Sequence, residues 1–353
     1  MNTYSVNAKD LIENVRILKE KAAEAKIIAV LKGNGYGLGA RRLARILLDE
    51  GVTFFAANTL AEVREIIEIA GENADYEILF LRSSCIYEEV RELVELNVTL
   101  TLGSQNAVEI AEKAARESGG TVKAHLKIDT GFGRYGFLPT DKPNIPPNVN
   151  ISGAYTHFSS AFALSPKRTI GQLRIFEETL KKWEISGVLT HVCNSSAFIK
   201  YGAMGHGAVR LGSAFLGRIS VPNTLGLRRV GRLISRVAEL KTLKKRANVG
   251  YANIFKTRRD TKIAIVPAGY SDGFGHVQLQ NVAQFSDILR AVKRLLIPPK
   301  VHVEIGGNKR EILGRINMCN IIVDVTDADV KIGDEVIIDC SPISNQASVD
   351  FQE

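Results

Sequence analysis

Lys32 closes an apolar run, Lys26-Ile-Ile-Ala-Val-Leu31, and opens a glycine-rich loop, Gly33-Asn-Gly-Tyr36-Gly-Leu-Gly39. A basic, helix-like segment begins at Arg41. A strand that ends on a lysine delivers one amine from a core into a mouth. Partly desolvated there, the amine has a lowered pKa and can form a Schiff base with a carbonyl. The plain alternative is a surface lysine at a strand end, and the other elements of the chain weigh between the two.

Leu11, Val15, Leu18 and Ala22 recur at helical spacing and predict an amphipathic helix over 8–25. Short apolar or alternating runs then follow the opening strand, at 53–58, 76–81, 98–102, 122–129, 151–157, 189–194 and 208–212. Helical patterns separate most of them, over 60–70, 86–96, 105–117 and 170–183. This alternation predicts an α/β fold, a (β/α)8 TIM-like barrel with parallel strands joined by helical crossovers. An open doubly wound sheet has the same local alternation, but a count near eight favours the barrel. Chemistry in such barrels sits at the carboxyl ends of the strands. The residues there are Lys32, Asn58, Arg82, Asp129, His157, Asn194-Ser195 and Gly212-Ser213. That polar, reactive set makes Lys32 a site lysine.

The pattern changes near residue 220. Val221-Pro-Asn-Thr-Leu-Gly226 reads as a linker, and strand-like runs follow at 233–240, 261–267, 301–305, 320–325 and 334–339. Residues 1–222 are therefore predicted to form the barrel and 223–353 a mostly β C-terminal domain, with 285–295 as its one helix.

Gly131-Phe-Gly133-Arg134-Tyr-Gly136 matches G-x-G-x-x-G after a strand, but a dinucleotide loop must open a helix. Four prolines between Leu138 and Pro147 forbid one here, so the glycines instead let a turn place Arg134 over a ligand. Asn194-Ser195 and Gly212-Ser213 end the last two barrel strands, where this fold commonly holds a phosphate at a short helix start. Ser213-Ala-Phe-Leu216 is the predicted source of that helix. A Schiff-base lysine and a phosphate cup in one mouth suggest pyridoxal phosphate (PLP). His157 and Arg210 end strands in the same mouth, and no G-x-S-x-G nucleophile elbow occurs.

The 353 residues carry a net charge of +8, with 45% hydrophobic and 24% charged residues, the balance of an ordinary globular protein. No RNA-recognition or zinc-finger pattern is present, so no nucleic-acid partner is expected. Cys85, Cys193, Cys319 and Cys340 lie far apart, which argues against structural zinc and a disulfide framework, and no metal is expected. The polar start lacks a signal-peptide core, and no apolar run approaches ~20 residues, so a cytoplasmic protein without a membrane span is expected.

These residues resemble the alanine racemase family, PLP enzymes of barrel plus β-domain type. Ala29-Val-Leu-Lys32-Gly-Asn-Gly-Tyr36-Gly is similar to the family's PLP-lysine segment. Lys127-Ile-Asp-Thr-Gly-Phe-Gly-Arg134-Tyr-Gly136 is similar to the segment with a lysine, carbamylated in many members, and the substrate-binding arginine. Tyr155-Thr-His157-Phe, Asn194-Ser195 and Val209-Arg210-Leu-Gly212 match in order, as do Val249-Gly-Tyr251, the segment from Val266 through Tyr270 to Gly273, and Gly314-Arg-Ile-Asn-Met318.

The resemblance implies an isomerase that interconverts L- and D-alanine with two bases, Lys32 on one face of the α-carbon and Tyr251 on the other. A tyrosine with an unperturbed pKa near ~10 needs nearby positive charge to act as a base. The resemblance puts Tyr251 beside His157, backed by Arg210, which also faces the pyridine nitrogen. It gives Tyr36, Asn194, Ser195, Gly212 and Ser213 to the cofactor, and Arg134, Tyr270 and Met318 to a small amino-acid substrate. It implies Lys127 as the carbamylated lysine and a head-to-tail homodimer with shared active sites. Cys319 stands where members usually have aspartate, Leu38 replaces the usual histidine, and the family's final tyrosine-bearing segment is missing. A racemase for another small amino acid such as serine, and a PLP-dependent decarboxylase of the same architecture, are the alternatives. A β-domain cysteine is typical of the decarboxylases, but they face the pyridine nitrogen with a glutamate, where this chain has Arg210.

Overall fold

A computed structural model of the chain describes residues 2–71, 75–275, 292 and 300–352. The chain divides into two compact units, Ala8–Val230 and Met1–Asn7 with Gly231–Glu353. The sequence division at 222 differs at both ends. The first strand, β1 (Thr3–Asn7), pairs antiparallel with β10 (Arg232–Arg236) and parallel with β19 (Ser348–Gln352). Tyr4 and Val6 alternate inward from β1 and are fully buried. Five residues with two apolar positions are too little for a strand to stand out in the sequence.

The unit Ala8–Val230 holds eight strands: β2 (Lys26–Val30), β3 (Phe54–Ala57), β4 (Glu77–Phe80), β5 (Leu100–Leu102), β6 (Val122–Lys127), β7 (Val149–Tyr155), β8 (Leu189–His191) and β9 (Ala208–Leu211). All their pairings are parallel, in the order β4-β3-β2-β9-β8-β7-β6-β5. The two ends meet at one parallel bridge, Leu79 with Thr99. There Thr99 donates to the Ile78 carbonyl and Phe80 to the Thr99 carbonyl, both at 2.9 Å. This is the predicted (β/α)8 barrel. Every residue of β3, β5 and β9 is buried, because helices cover a parallel sheet from outside while side chains fill its inside.

The outer helices follow the apolar spacing. Ala8–Ala22 buries Leu11, Val15, Leu18 and Ala22, the four residues that predict it. Leu60–Ala70 starts at a capping box, with the Thr59 hydroxyl accepting from the Glu62 amide and the Glu62 carboxylate accepting in return. Gln105–Glu117 starts at Ser104, whose hydroxyl accepts from Ala107.

In the other unit, one sheet has six strands in the order β16-β15-β18-β10-β1-β19. Its remaining members are β15 (His302–Ile305), β16 (Asn308–Glu311) and β18 (Glu335–Ile338). A second sheet joins β11 (Glu239–Leu243), β14 (Thr261–Val266) and β17 (Ile321–Asp324), and β12 (Asn248–Val249) pairs with β13 (Phe255–Lys256). The predicted mostly β character holds. The single strand read over 233–240 is two, β10 and β11, in different sheets. The helix predicted over 285–295 lies outside the described residues apart from Val292.

Candidate active site

The strand ends of the barrel enclose a cavity of about 450 Å³. Lys32, Lys127, Arg134 and Arg210 line it together with Arg82, and among the described residues no aspartate or glutamate does. Arg82 pairs with Glu89, so four cationic side chains remain to face one space.

Lys32 follows β2 and opens an unusual turn. Gly33, Asn34, Gly35 and Tyr36 have φ of 65°, 51°, 61° and 57°, a left-handed turn where the sequence predicts only a loop. Glycine adopts this conformation freely and asparagine tolerates it, so the strain of roughly 1–2 kcal/mol falls mainly on Tyr36. Glu62 holds the turn in place. Its two carboxylate oxygens accept from the amides of Asn34 at 3.0 Å and Asn58 at 2.8 Å. The turn aims Tyr36 across the cavity at the end of β9, where a Cβ on Gly212 would sit 2.3 Å from the Tyr36 hydroxyl. A larger residue there would push the Tyr36 ring aside.

At the end of β8, the Ser195 hydroxyl accepts from the amides of Gly212 at 3.2 Å and Ala214 at 3.4 Å. Its own proton is left to donate. Asn194 caps the short helix Ser195–Tyr201 through Ala197, so its side chain is used locally, although the residue lines the cavity. The helix predicted at 213–216 is a turn, and the short helix of this rim is Ser195–Tyr201. The difference is a cap: Asn194 can accept from an amide three residues on, whereas Gly212 before Ser213 has no side chain to do so.

Arg210 is 4% exposed, and its terminal nitrogens make four bonds. One reaches His191 Nδ1 at 2.8 Å and the His191 carbonyl at 2.8 Å, the other the carbonyls of Thr156 at 2.7 Å and Val192 at 3.2 Å. These bonds use the four terminal N–H groups and leave Nε as the remaining donor. Because a guanidinium only donates, His191 carries its proton on Nε2 and gives it to His125 Nδ1 at 2.9 Å. The Tyr155 ring stacks on His191 at 4.6 Å and supports the Arg210 guanidinium at 5.0 Å.

Burial and mutual repulsion set the titration of these groups. Burial, then Arg134 and Arg210, lower the Lys32 amine, while Glu62 opposes. Lys32 is exposed toward the cavity, but the crowded wall still lowers its pKa through burial. The same causes bring Lys127 down to about 7. His157 lies well below its ordinary value through burial and then Arg210, so it is neutral. Burial brings Arg210 down to about 10, which leaves it charged near neutrality, and pushes the Tyr36 phenol up to about 12.

The barrel therefore gathers Lys32, Tyr36, Lys127, Arg134, His157, Asn194, Ser195, Arg210, Gly212 and Ser213 around one space. Tyr251, Tyr270 and Met318 do not line it and belong to the other unit. There Tyr270 donates its amide to the Asn317 carbonyl at 3.1 Å, and Ser271 donates to the Met318 carbonyl at 2.9 Å. Gly314 packs against Val249, so the loop of Tyr251 adjoins the same strand-to-strand segment. Tyr155 lines the cavity and His191 backs it; the sequence offers Tyr155 only within the segment matched by the resemblance and His191 not at all. Both lie on barrel strands, and strand register is the signal that could select His191.

The alanine racemase N-terminal domain family matches residues 6–219. This chain belongs to the alanine racemase family. The alanine racemase C-terminal domain family matches residues 230–351. An alanine racemase of Clostridium tetani is 30% identical over 352 residues, which cover 94% of this chain and 84% of that one. A solved alanine racemase from Clostridium difficile superposes with a TM-score of 0.79 at 26% identity, covering 96% of this chain and 86% of that one. A Bartonella henselae alanine racemase with covalently bound pyridoxal phosphate shares the fold, with a TM-score of 0.83 at 22% identity and coverage of 100% and 99%. The family resemblance, the architecture and the racemase class read from the sequence agree with these matches. Among the described residues no helix is long and apolar enough to cross a membrane.

Proposed function

We propose that this chain is a PLP-dependent racemase that interconverts L- and D-alanine, and that its unit Ala8–Val230 binds the cofactor. The carrying observation is a cavity lined by Lys32, Lys127, Arg134 and Arg210, with hydroxyl donors and, among the described residues, no carboxylate, where Gly212 lets the Tyr36 ring approach closely. That donor set fits an anionic cofactor whose phosphate needs hydroxyls and amides and whose substrate brings a carboxylate. When bound, PLP withdraws electrons from the α-carbon and so acidifies its proton.

Lys32 would hold the cofactor covalently, because its lowered pKa leaves more of the amine in the nucleophilic form. Tyr36, Ser195, Gly212 and Ser213 would hold the phosphate, and Asn194 shapes that rim. The Tyr36 phenol stays protonated and can only help as a donor or neutral acceptor. Arg210 would present Nε to the ring nitrogen and keep it unprotonated, since its other donors are taken. That limits electron withdrawal and disfavours loss of the amino group. Arg134 would bind the substrate carboxylate, with Tyr270 and the Met318 backbone beside it.

Lys32, once released by the substrate amine, would take or give the α-proton on one face. Tyr251 from a second copy of the chain would serve the other face, next to His157, in a head-to-tail homodimer. The exposure of Tyr251 and Met318, 70% each, supports this reading. Lys127 would carry a carbamate: near neutral pH part of its amine is unprotonated, the form that adds carbon dioxide. The resulting anion would supply Arg134 with the negative partner that the cavity wall lacks.

The test is purified protein with PLP and L-alanine, read by chiral chromatography, followed by borohydride reduction and peptide mapping. D-alanine should form and the label should sit on Lys32. Label on another lysine, or amine products in place of D-alanine, refutes the assignment.

A further inference from the structure

We propose that Asp129 is a positioning residue for Arg134: its carboxylate gathers the loop that carries the guanidinium and so fixes where the substrate carboxylate binds. This rests on the reading of Arg134 as the carboxylate ligand.

Asp129 lies just beyond β6. Its Oδ1 accepts from the amides of Gly131 at 2.8 Å, Phe132 at 2.8 Å and Gly133 at 3.1 Å. Its Oδ2 accepts from Gly133 at 2.9 Å and Arg134 at 3.2 Å. Four consecutive amides thus converge on one side chain. A chain curls this tightly only with glycine at Gly131 and Gly133, whose φ values are 113° and 76°. The base of the loop is closed by Asp129 donating to the Phe137 carbonyl at 2.9 Å and Phe137 donating to the Lys127 carbonyl at 2.8 Å. Gly136 permits that closure, since a Cβ there would lie 2.6 Å from the Asp129 nitrogen.

The curled loop presents Phe132 as a platform. The Arg134 guanidinium lies 4.4 Å from the Phe132 ring centroid, and the ring meets His157 edge-on at 5.0 Å. Residues 131–135 are all exposed, so no core packing holds them. The carboxylate supplies the order that packing does not. Burial pushes its pKa up, but the four amides together outweigh that and leave it ionised at neutral pH. Asparagine would keep one acceptor and turn an NH2 group against amides that also donate.

The test uses the PLP-loaded protein and propionate, alanine without its amine, as a probe of the carboxylate site alone. Asp129→Asn should weaken propionate binding by calorimetry about tenfold and raise the alanine KM about tenfold, since small misplacements of a binding group cost this much. Its kcat should stay within about threefold, because the proton-transfer groups are elsewhere. Hydrogen exchange at 131–134 should quicken while that of the barrel strands does not change. Unchanged propionate affinity, or equal loss in kcat and KM with faster strand exchange, overturns the proposal. If Asp129→Asn fails to fold, Gly131→Ala gives the same test: it strains the loop backbone yet meets no atom within 4 Å. Arg134→Ala is the control. If it leaves propionate binding intact, the assignment of Arg134 itself fails; if it weakens binding and Asp129→Asn does not, only the role of Asp129 fails.

Discussion

The barrel mouth and the loop cluster around Tyr251 present reactive side chains in opposite ways. In the mouth, Lys127 and Arg210 are 5% and 4% exposed; burial lowers the pKa of both, and neighbouring cations lower that of Lys127 further. Rigid strand ends hold them. In the cluster, Tyr251 opens a single 3-10 turn and Met318 sits on a loop, and both stand 70% exposed. A side chain that its own wall desolvates has its chemistry set by the fold. A side chain left in water has its chemistry set by whatever comes to cover it. The first set lies within one unit, and the proposed homodimer would cover the second.

Removing the exposed member tests that contrast most strongly. Tyr251→Phe should keep PLP bound but lower racemisation by about 10²–10⁴-fold, the usual contribution of a positioned acid–base group. Proton NMR in deuterated water should show α-exchange surviving in D-alanine far better than in L-alanine. Equal loss in both enantiomers would make Tyr251 something other than a face-specific base, and Cys319 the next residue to replace.

Mixing subunits asks whether the covering surface is a second copy. Lys32→Ala and Tyr251→Phe proteins are each inactive in this reading. Random mixing makes half the dimers mixed, each with one intact site of two, so about a quarter of full activity should return. Verified mixed dimers with no activity would show that the two residues do not meet across an interface.

The smallest effect belongs to the mouth. Lys127 titrates at about 7 in the fold against 10.5 ordinarily, so between these values the unfolded chain binds more protons. Stability should therefore rise with pH through this window, and the cost of burying the charged amine is greatest below pH 7. Lys127→Met should raise the melting temperature of the cofactor-free protein by several degrees at pH 6 and by less at pH 9. A gain independent of pH would mean the amine is not the source.

Much of this was legible in the sequence, for reasons that differ by region. The eight barrel strands are short apolar runs punctuated by amphipathic helices, and residues at their ends are found by counting. That is enough to place Lys32, His157, Arg210 and Gly212 at the strand ends. The left-handed turn at 33–36 leaves no mark beyond its two glycines, since asparagine and tyrosine give no hint that φ is positive. Asp129 reads as one more polar strand end; its importance lies in four amides, and amides have no letter. Strand β1 is hidden because its partners lie more than 200 residues away. Tyr251 and Tyr270 open single 3-10 turns and Met318 lies on a loop, none with a local sequence pattern, and only the family resemblance singles them out.

Four like charges around one space have a consequence for supply. As free amines, Lys32 and Lys127 each feel Arg134 and Arg210 as repulsion, which a bound anion would relieve. A ligand at a hundred times its dissociation constant adds about 2.7 kcal/mol of stability, a large share of what a typical domain has. The number of protein molecules that escape proteolysis would then follow the vitamin B6 status of the cell. A shortage would deplete the enzyme itself as well as its activity.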